Sequence, residues 1–290
     1  MVSVLMTAYN REHYIKESIE SVLSQSYQDF ELIIVDDAST DRTWEIIEQY
    51  AQIDQRIKAY RNNQNKGDYP NRNIAASYAK RKYLKYLDSD DILFPHALGH
   101  MVNNMEANPD VPVGLIGVGL SLKKNETIVL FPIDLYRKIF FEGKIIASGP
   151  SFSILKKSHF FELGGFSASR HLSDTDLWLK ILAKKPACIF DESLVFWREH
   201  DSQEFKIGLH SNYHLFKGFH IYIKYLSDNG CPLPENERQF AIRNLKNRYS
   251  RKILLKYLSG KFDFAQKLRF ETKLTFFDLL QSCRPNKYPN

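Results

Sequence analysis

Tyr83-Leu84-Lys85-Tyr86-Leu87-Asp88-Ser89-Asp90-Asp91 carries a short apolar run, the length of a strand, straight into three carboxylates within four residues. Unpaired, such charges repel one another and raise each other's pKa. At a strand end they imply a cation, and a hard divalent metal that takes oxygen ligands suits them best. A polar turn in which Asp and Ser cap the next helix is the plainer account of an isolated Asp-x-Asp. The neighbouring segments decide between the two.

Upstream, Ser3–Ala8 is an apolar run ending in a turn at Tyr9-Asn10, and Tyr14, Ile15, Ile19, Val22 and Leu23 follow at helical spacing. Phe30–Val35 is a continuous apolar strand of the type buried on both faces. It ends at Asp36-Asp37, after which Ser39 or Thr40 is placed to cap a helix carrying Trp44, Ile46, Ile47 and Tyr50. A strand near Ile57–Tyr60, a polar loop over Asn62–Tyr69 and a helix starting about Pro70 complete the approach to Tyr83. Strand alternating with helix predicts an α/β fold with a largely parallel sheet.

Ligands bind such sheets outside the carboxyl ends of the strands. The Thr7–Asn10 turn, Asp36-Asp37 and Asp88–Asp91 all fall there, a convergence that helix capping does not explain. An acidic residue at such an end suits ribose hydroxyls or the edge of a base. No Gly-x-Gly-x-x-Gly follows the first strand and no Gly-x-x-x-x-Gly-Lys-Ser/Thr occurs, so dinucleotide oxidoreductases and P-loop enzymes fit poorly. Phosphates then need a metal and basic side chains such as Lys66 and Arg72.

Downstream, a helix is predicted over His96–Ala107, a strand over Val113–Leu122 and another within Gly149–Leu155. Gly164-Gly165-Phe166 reads as a sharp turn beside a buried Phe. His171-Leu-Ser-Asp-Thr-Asp-Leu-Trp178 runs into a helix, with Ser173 or Asp174 as its N-cap; Trp44 and Trp178 read as core.

With 43% hydrophobic and 26% charged residues among 290, the composition is that of a soluble globular protein. The N-terminus lacks a basic n-region, so no signal peptide is expected. Cys188, Cys231 and Cys283, odd in number and widely spaced, suggest a reducing compartment without disulfides, hence the cytoplasm. Of the net charge of +6, residues 235–290 hold 13 Lys/Arg against 5 Asp/Glu, which leaves the body at −2. Nucleic acid is therefore an unlikely partner for the body.

Taken together the segments resemble family 2 glycosyltransferases, whose catalytic domain has the GT-A fold. The resemblance runs from Ser3 to about Ser202, through Ser3–Asn10, Glu31–Asp41, Asn65-Lys66-Gly67, Arg72-Asn73, Leu87–Asp91, Gly164–Phe166, Asp174–Trp178 and Trp197–His200 in family order. It implies a nucleotide-diphospho-sugar transferase fold: a mostly parallel sheet flanked by helices, with a helical C-terminal extension. The implied organisation is a catalytic domain over 1–205, with a nucleotide-binding half to about 120 and an acceptor half from about 121, then a basic helical extension over 206–290.

Residue by residue, the resemblance implies that Thr7, Ala8 and Tyr9 line the base pocket and that Asp37 bonds the nucleobase. Asn65 and Arg72 hold the nucleotide, with Ser89 beside them; Asp88 faces the ribose and Asp90 binds Mn²⁺ or Mg²⁺, while Asp91 supports the loop and helix start. Asp174 matches the general base of an inverting transfer, with Asp176 the competing choice; the Glu usual before that base is Ser173 here. His200 either ligates the metal or packs beside Trp197. His210 and His214 read as an exposed helix face.

In the tail, Phe216, Phe219, Ile223 and Leu226 fit one helix, and Ile242, Leu245, Tyr249, Ile253, Leu254 and Tyr257 fit a second with interleaved Lys and Arg. A basic amphipathic helix can lie on an anionic membrane; alternatively its stripe packs on the catalytic domain and leaves its charges solvated. The expected activity is metal-dependent transfer from a nucleotide-sugar donor, a UDP-sugar first, to a glycan or lipid-linked glycan at the inner face of the cell membrane. Acceptor choice is expected from the segment around 121–149 and the tail. A sugar nucleotidyltransferase and a catalytically silent binding module are the alternatives.

Overall fold

Continuous apolar runs become interior strands, because only a sheet covered on both faces hides such residues. In the computed structural model, which describes residues 1–144, 149–167, 172–191, 193–200 and 213–283, β1 (Val2–Ala8), β2 (Phe30–Asp36), β3 (Ile57–Arg61) and β4 (Tyr83–Tyr86) run parallel in the order β3-β2-β1-β4. The chain divides into two compact units, 1–200 and 201–290. The expected boundary at 205 lies outside the described residues.

In the first unit, α1 (Ile15–Leu23), α2 (Thr43–Ile53) and α4 (Ala97–Ala107) share a core with Val2, Val4 and Met6 of β1. Helix α3 (Asp68–Tyr78) packs on β1 and β2. Beyond β4 the sheet continues as β8 (Ser153–Lys156), β6 (Val113–Ile116), β9 (Ala187–Phe190) and β7 (Thr127–Leu130), with antiparallel pairing on both sides of β8. A separate ribbon pairs β5 (Ile92–Leu93) with β10 (Val195–Phe196). Helices α5 (Pro132–Phe140), α6 (Lys157–Glu162) and α7 (Ser173–Leu182) belong to the same unit. Trp178 is fully buried and Trp44 partly so.

Several local expectations are corrected. Ser39 and Thr40 do not cap α2: Ser39 Oγ accepts from the Asn10 amide at 3.0 Å, and the Thr40 amide donates to Asn10 Oδ1 at 2.9 Å. They lash the loops after β1 and β2 together, while Asp41 Oδ1 receives the Thr43 amide at 3.0 Å. Strand β6 stops at Ile116, not Leu122, because the chain turns through Gly117–Leu120 with Gly119 at a φ of 76°. Leu155 is in a strand as expected, but residues 150–152 form one 3₁₀ turn. Neither Ser173 nor Asp174 caps α7, whose N-cap is Leu172; Ser173 Oγ donates to the Ser167 carbonyl at 2.9 Å instead.

The second unit contains α8 (Tyr213–Ser227), α9 (Glu235–Leu258), α10 (Phe262–Thr272) and α11 (Phe276–Gln281), the last closed by a reciprocal Thr275–Asp278 capping box. Helix α9 is its axis and packs against the other three. Leu245, Tyr249 and Ile253 are therefore buried inside the unit, with Tyr249 edge-on to Phe219 at 5.0 Å. The apolar stripe expected to meet a membrane is covered by α8, α10 and α11. The exposed large apolar side chains of this unit are Leu255, Leu258, Phe262, Phe270, Phe276, Phe277 and Leu280. His210 and the side chain of His214 lie outside the described residues.

Candidate active site

Parallel register sets the ends of β1, β2 and β4 side by side. Ala8 pairs with Asp36, the Asp37 amide donates to the Ala8 carbonyl at 2.8 Å, and the Leu87 amide donates to the Leu5 carbonyl at 3.0 Å. Thr7 is half-buried, Ala8 buried and Tyr9 exposed along this edge. The buried Asp37 carboxylate accepts from Asn62 Nδ2 at 2.7 Å and from the amides of Lys66 and Gly67 at 2.8 and 2.9 Å. It shapes the 62–67 loop, and a bond to a base would be added to these three. Asn65 is exposed, with Oδ1 on the Gly67 amide at 3.0 Å.

The three carboxylates meet as the sequence suggests. Asp88, Asp90 and Asp91 each offer an oxygen within 4.8 Å of the others, with Ser89 buried between them. Asp91 joins this cluster instead of supporting the next helix, which begins at Ala97 without a side-chain cap. Burial pushes the Asp91 carboxyl up to about 8, and the charges of Asp88 and Asp90 push the same way. Asp88 Oδ1 and Asp91 Oδ2 are buried without a hydrogen bond. Arg72 Nη1 lies 2.7 Å from Asp88 Oδ1, an ion pair out of hydrogen-bond alignment.

Basic groups surround the cluster. Asp90 Oδ2 accepts from Arg11 Nε at 3.0 Å and lies 2.9 Å from His200 Nε2, whose ring stacks on Tyr14 at 4.5 Å. The Arg198 amide donates to Asp91 Oδ1 at 3.2 Å and its Nε to the Asp90 carbonyl at 3.1 Å. Lys85 is buried beneath the loop and donates to the Tyr86 carbonyl at 2.7 Å and to the Ser151 carbonyl. Burial pushes its ammonium down to about 7 against the pull of Asp88 and Asp91. Ser151 Oγ in turn accepts the Asp88 amide at 2.7 Å.

Three carboxylates within 4.8 Å of one another, two of whose buried oxygens make no hydrogen bond, are an oxygen-rich donor set that fits a divalent cation such as Mn²⁺ or Mg²⁺. Asp88, Asp90 and Asp91 would hold it, and His200 reaches the cluster through Asp90.

Asp174 stands in the first turn of α7, half-buried as a residue but with its carboxyl closely enclosed. Its Oδ1 accepts the Thr175 amide at 2.6 Å. Burial pushes the carboxyl up to about 6, opposed by that amide and by the neighbouring Tyr69 hydroxyl. Asp68 and Arg72 of α3 also face it, and Arg72 pairs with Asp68 at 2.7 Å. Arg72 thus lies between Asp88 and the surroundings of Asp174.

Sequence reasoning missed Arg11, Arg198, Lys85 and Ser151. A lysine inside an otherwise apolar strand, and an arginine just past the first strand's turn, were the available signals for Lys85 and Arg11. Nothing local marks Ser151.

Comparison with known proteins gives a consistent result. Residues 3–161 match the model for glycosyl transferase family 2. The chain is 35% identical over 191 residues to the putative glycosyltransferase EpsE of Bacillus subtilis (strain 168), covering 62% of this chain and 66% of that protein. It is 42% identical over 106 residues to WfaP of Escherichia coli, named UDP-Glc:alpha-D-GlcNAc-diphosphoundecaprenol beta-1,3-glucosyltransferase, covering 37% of this chain and 41% of that one. The chain spans less than two thirds of the length of these curated relatives. Among solved structures, S. aureus TarS 1-349 in complex with UDP-GlcNAc superposes with a TM-score of 0.66 over 97% of this chain and 79% of that chain, at 19% identity, a likeness of fold.

Proposed function

The chain belongs to glycosyl transferase family 2, and from that premise we propose that it is a divalent-metal-dependent, inverting glycosyltransferase moving a sugar from a nucleotide donor to a glycan or lipid-linked glycan. The observation that carries this reading is the carboxylate cluster, two of its buried oxygens making no hydrogen bond, at the carboxyl edge of a parallel sheet and ringed by Arg11, Arg72 and Arg198. Thr7, Ala8, Tyr9, Asp37 and Asn65 form the nucleotide side, and Asp88 with Ser89 faces the ribose. A cation held by the cluster supplies positive charge to the departing diphosphate.

Asp174 accepts the proton of the acceptor hydroxyl while that oxygen bonds the anomeric carbon and the bond to the nucleoside diphosphate breaks. A carboxylate with a pKa near 6 is ionised at neutral pH yet basic enough to share a proton in the transition state. Arginines near the leaving group stabilise its growing charge. The UDP-Glc and diphosphoundecaprenol in the name of WfaP support a UDP-sugar donor and a lipid-linked acceptor. On this reading the protein works at the inner face of the cell membrane. No helix among the described residues is long and apolar enough to cross a membrane.

A thermal-shift screen of UDP, GDP, UDP-glucose and UDP-N-acetylglucosamine with Mn²⁺ or Mg²⁺ tests the donor site, because a ligand that binds the native state raises apparent stability. A metal-dependent rise with a UDP compound is expected. No rise with any nucleotide, with or without metal, refutes the reading.

A further inference from the structure

Helix α3 touches both sides of the site through consecutive residues. Arg72 grips Asp88 on the donor side. The next residue, Asn73, binds both polar groups of one residue far along the chain: its Nδ2 donates to the Phe166 carbonyl at 2.8 Å, and its Oδ1 accepts the Phe166 amide at 3.0 Å. The approach is so close that a Cβ on Gly165 would stand 2.7 Å from Asn73 Oδ1, and Gly165 has a φ of 70°. The Gly164-Gly165 pair therefore serves this clamp as well as the turn.

From the clamp, contacts lead to the base. Phe166 is buried, and its ring lies 5.2 Å from Tyr69, 5.3 Å from Phe160 and 6.3 Å from Trp178 on α7. The carbonyl of the following residue, Ser167, receives the hydroxyl of Ser173 at 2.9 Å, immediately before Asp174. Tyr69, in the first turn of α3, lies under the Arg72 guanidinium at 6.0 Å, and its hydroxyl is among the groups that act on the Asp174 carboxyl. One helix thus holds Asp88 by Arg72 and the entry to α7 by Asn73, and sets Tyr69 beside Asp174.

We propose that Asn73 and Tyr69 are positioning residues for transfer, fixing Asp174 against the donor-side Asp88 through the Phe166 clamp and the tyrosine hydroxyl. The inference rests on Asp174 being the base. Its physical basis is that a base must stand within hydrogen-bond reach of the acceptor proton while the donor is held, so a displacement of about 1 Å costs on the order of 100-fold in rate. The charged and titratable groups of α3 that act on Asp174 are Asp68, Tyr69 and Arg72, and the Tyr69 hydroxyl favours its ionised form. Losing that hydroxyl raises the carboxyl's pKa, so the acid limb of the rate profile moves to higher pH.

The test uses Tyr69→Phe, Asn73→Ala and Asp174→Asn in the full chain. In protein labelled with ¹³C at the aspartate carboxyls, the resonance missing from Asp174→Asn identifies the base and its titration is followed directly. Tyr69→Phe is expected to shift the midpoint upward, and Asn73→Ala to alter the resonance, while both still bind UDP with Mg²⁺. UDP release from UDP-glucose should show kcat lowered by about tenfold or more with the donor KM within about twofold. Unchanged titration and kcat in both variants overturns the inference, and because Tyr69→Phe deletes a single oxygen it serves if Asn73→Ala fails to fold. Should Asp174→Asn release UDP as fast as wild type, the base assignment itself fails; should it be silent while the other two behave as wild type, only the positioning roles fail.

Discussion

His200 Nε2 lies 2.9 Å from Asp90 Oδ2 although 110 positions separate them. The two-stranded pairing of β10 with β5 brings them together, since β5 begins directly after Asp91 and β10 ends four residues before His200. A ligand-orienting contact of this kind typically changes metal affinity 10- to 100-fold when removed. His200→Ala is therefore expected to weaken Mn²⁺ binding by about tenfold or more, read by metal titration of the thermal transition without any nucleotide. Wild-type metal affinity in the variant would separate His200 from the cation.

Asp174 gives a pH signature. The ionised carboxylate is the form that accepts a proton, and burial sets its pKa to about 6, so kcat should fall as pH drops through 6. Asp174→Asn should lower kcat by roughly 10²–10⁴ above pH 6, the difference narrowing as the wild-type carboxyl protonates at lower pH. A rate that stays flat between pH 5 and pH 7 would contradict the assignment.

Arg72 is nearly buried and pairs with both Asp68 and Asp88 at 2.7 Å. Removing one partner from a buried ion pair strands the remaining charge, at a cost of about 3–5 kcal/mol. Arg72→Met should therefore lose about that much stability in urea unfolding, and Arg72→Met with Asp88→Asn should lose less than the sum of the two single changes. Strict additivity would mean that the two residues do not interact in solution.

Membrane contact has a different expected form once α9 is seen as the axis of its unit. Its exposed Lys and Arg would attract anionic vesicles, an attraction that added salt screens. Exposed Phe270, Phe276 and Phe277 would add a salt-resistant part, so Phe270→Ser with Phe277→Ser should leave a contact that salt abolishes. Cosedimentation with vesicles measures both, and no sedimentation at low salt would reject the contact.

The sheet was legible because β1, β2 and β4 are largely apolar runs ending in polar turns, a pattern that local chemistry dictates. The acidic cluster was legible for the same reason: its three members are neighbours in the chain. Arg198 and Ser151 were not, because β10 and the antiparallel insertion of β8 carry them to the site, and pairing across more than sixty residues leaves no local trace. Ser39 and Thr40 misled because a good capping residue is equally good at bonding a neighbouring loop, and Asn10 offered one. In the tail, helical periodicity was visible, but an apolar stripe does not say whether lipid or another helix covers it.

Strand β8 lies between β4 and β6, so a segment from the second half of the unit is stitched into the first. A chimera joined near residue 120 to exchange acceptor preference would thus import a foreign strand beside β4, and with it a foreign residue at position 151, where the Asp88 amide takes the serine hydroxyl and Lys85 the backbone carbonyl. Grafts that keep 149–156 and 164–167 native and vary only 121–144 leave those seams closed.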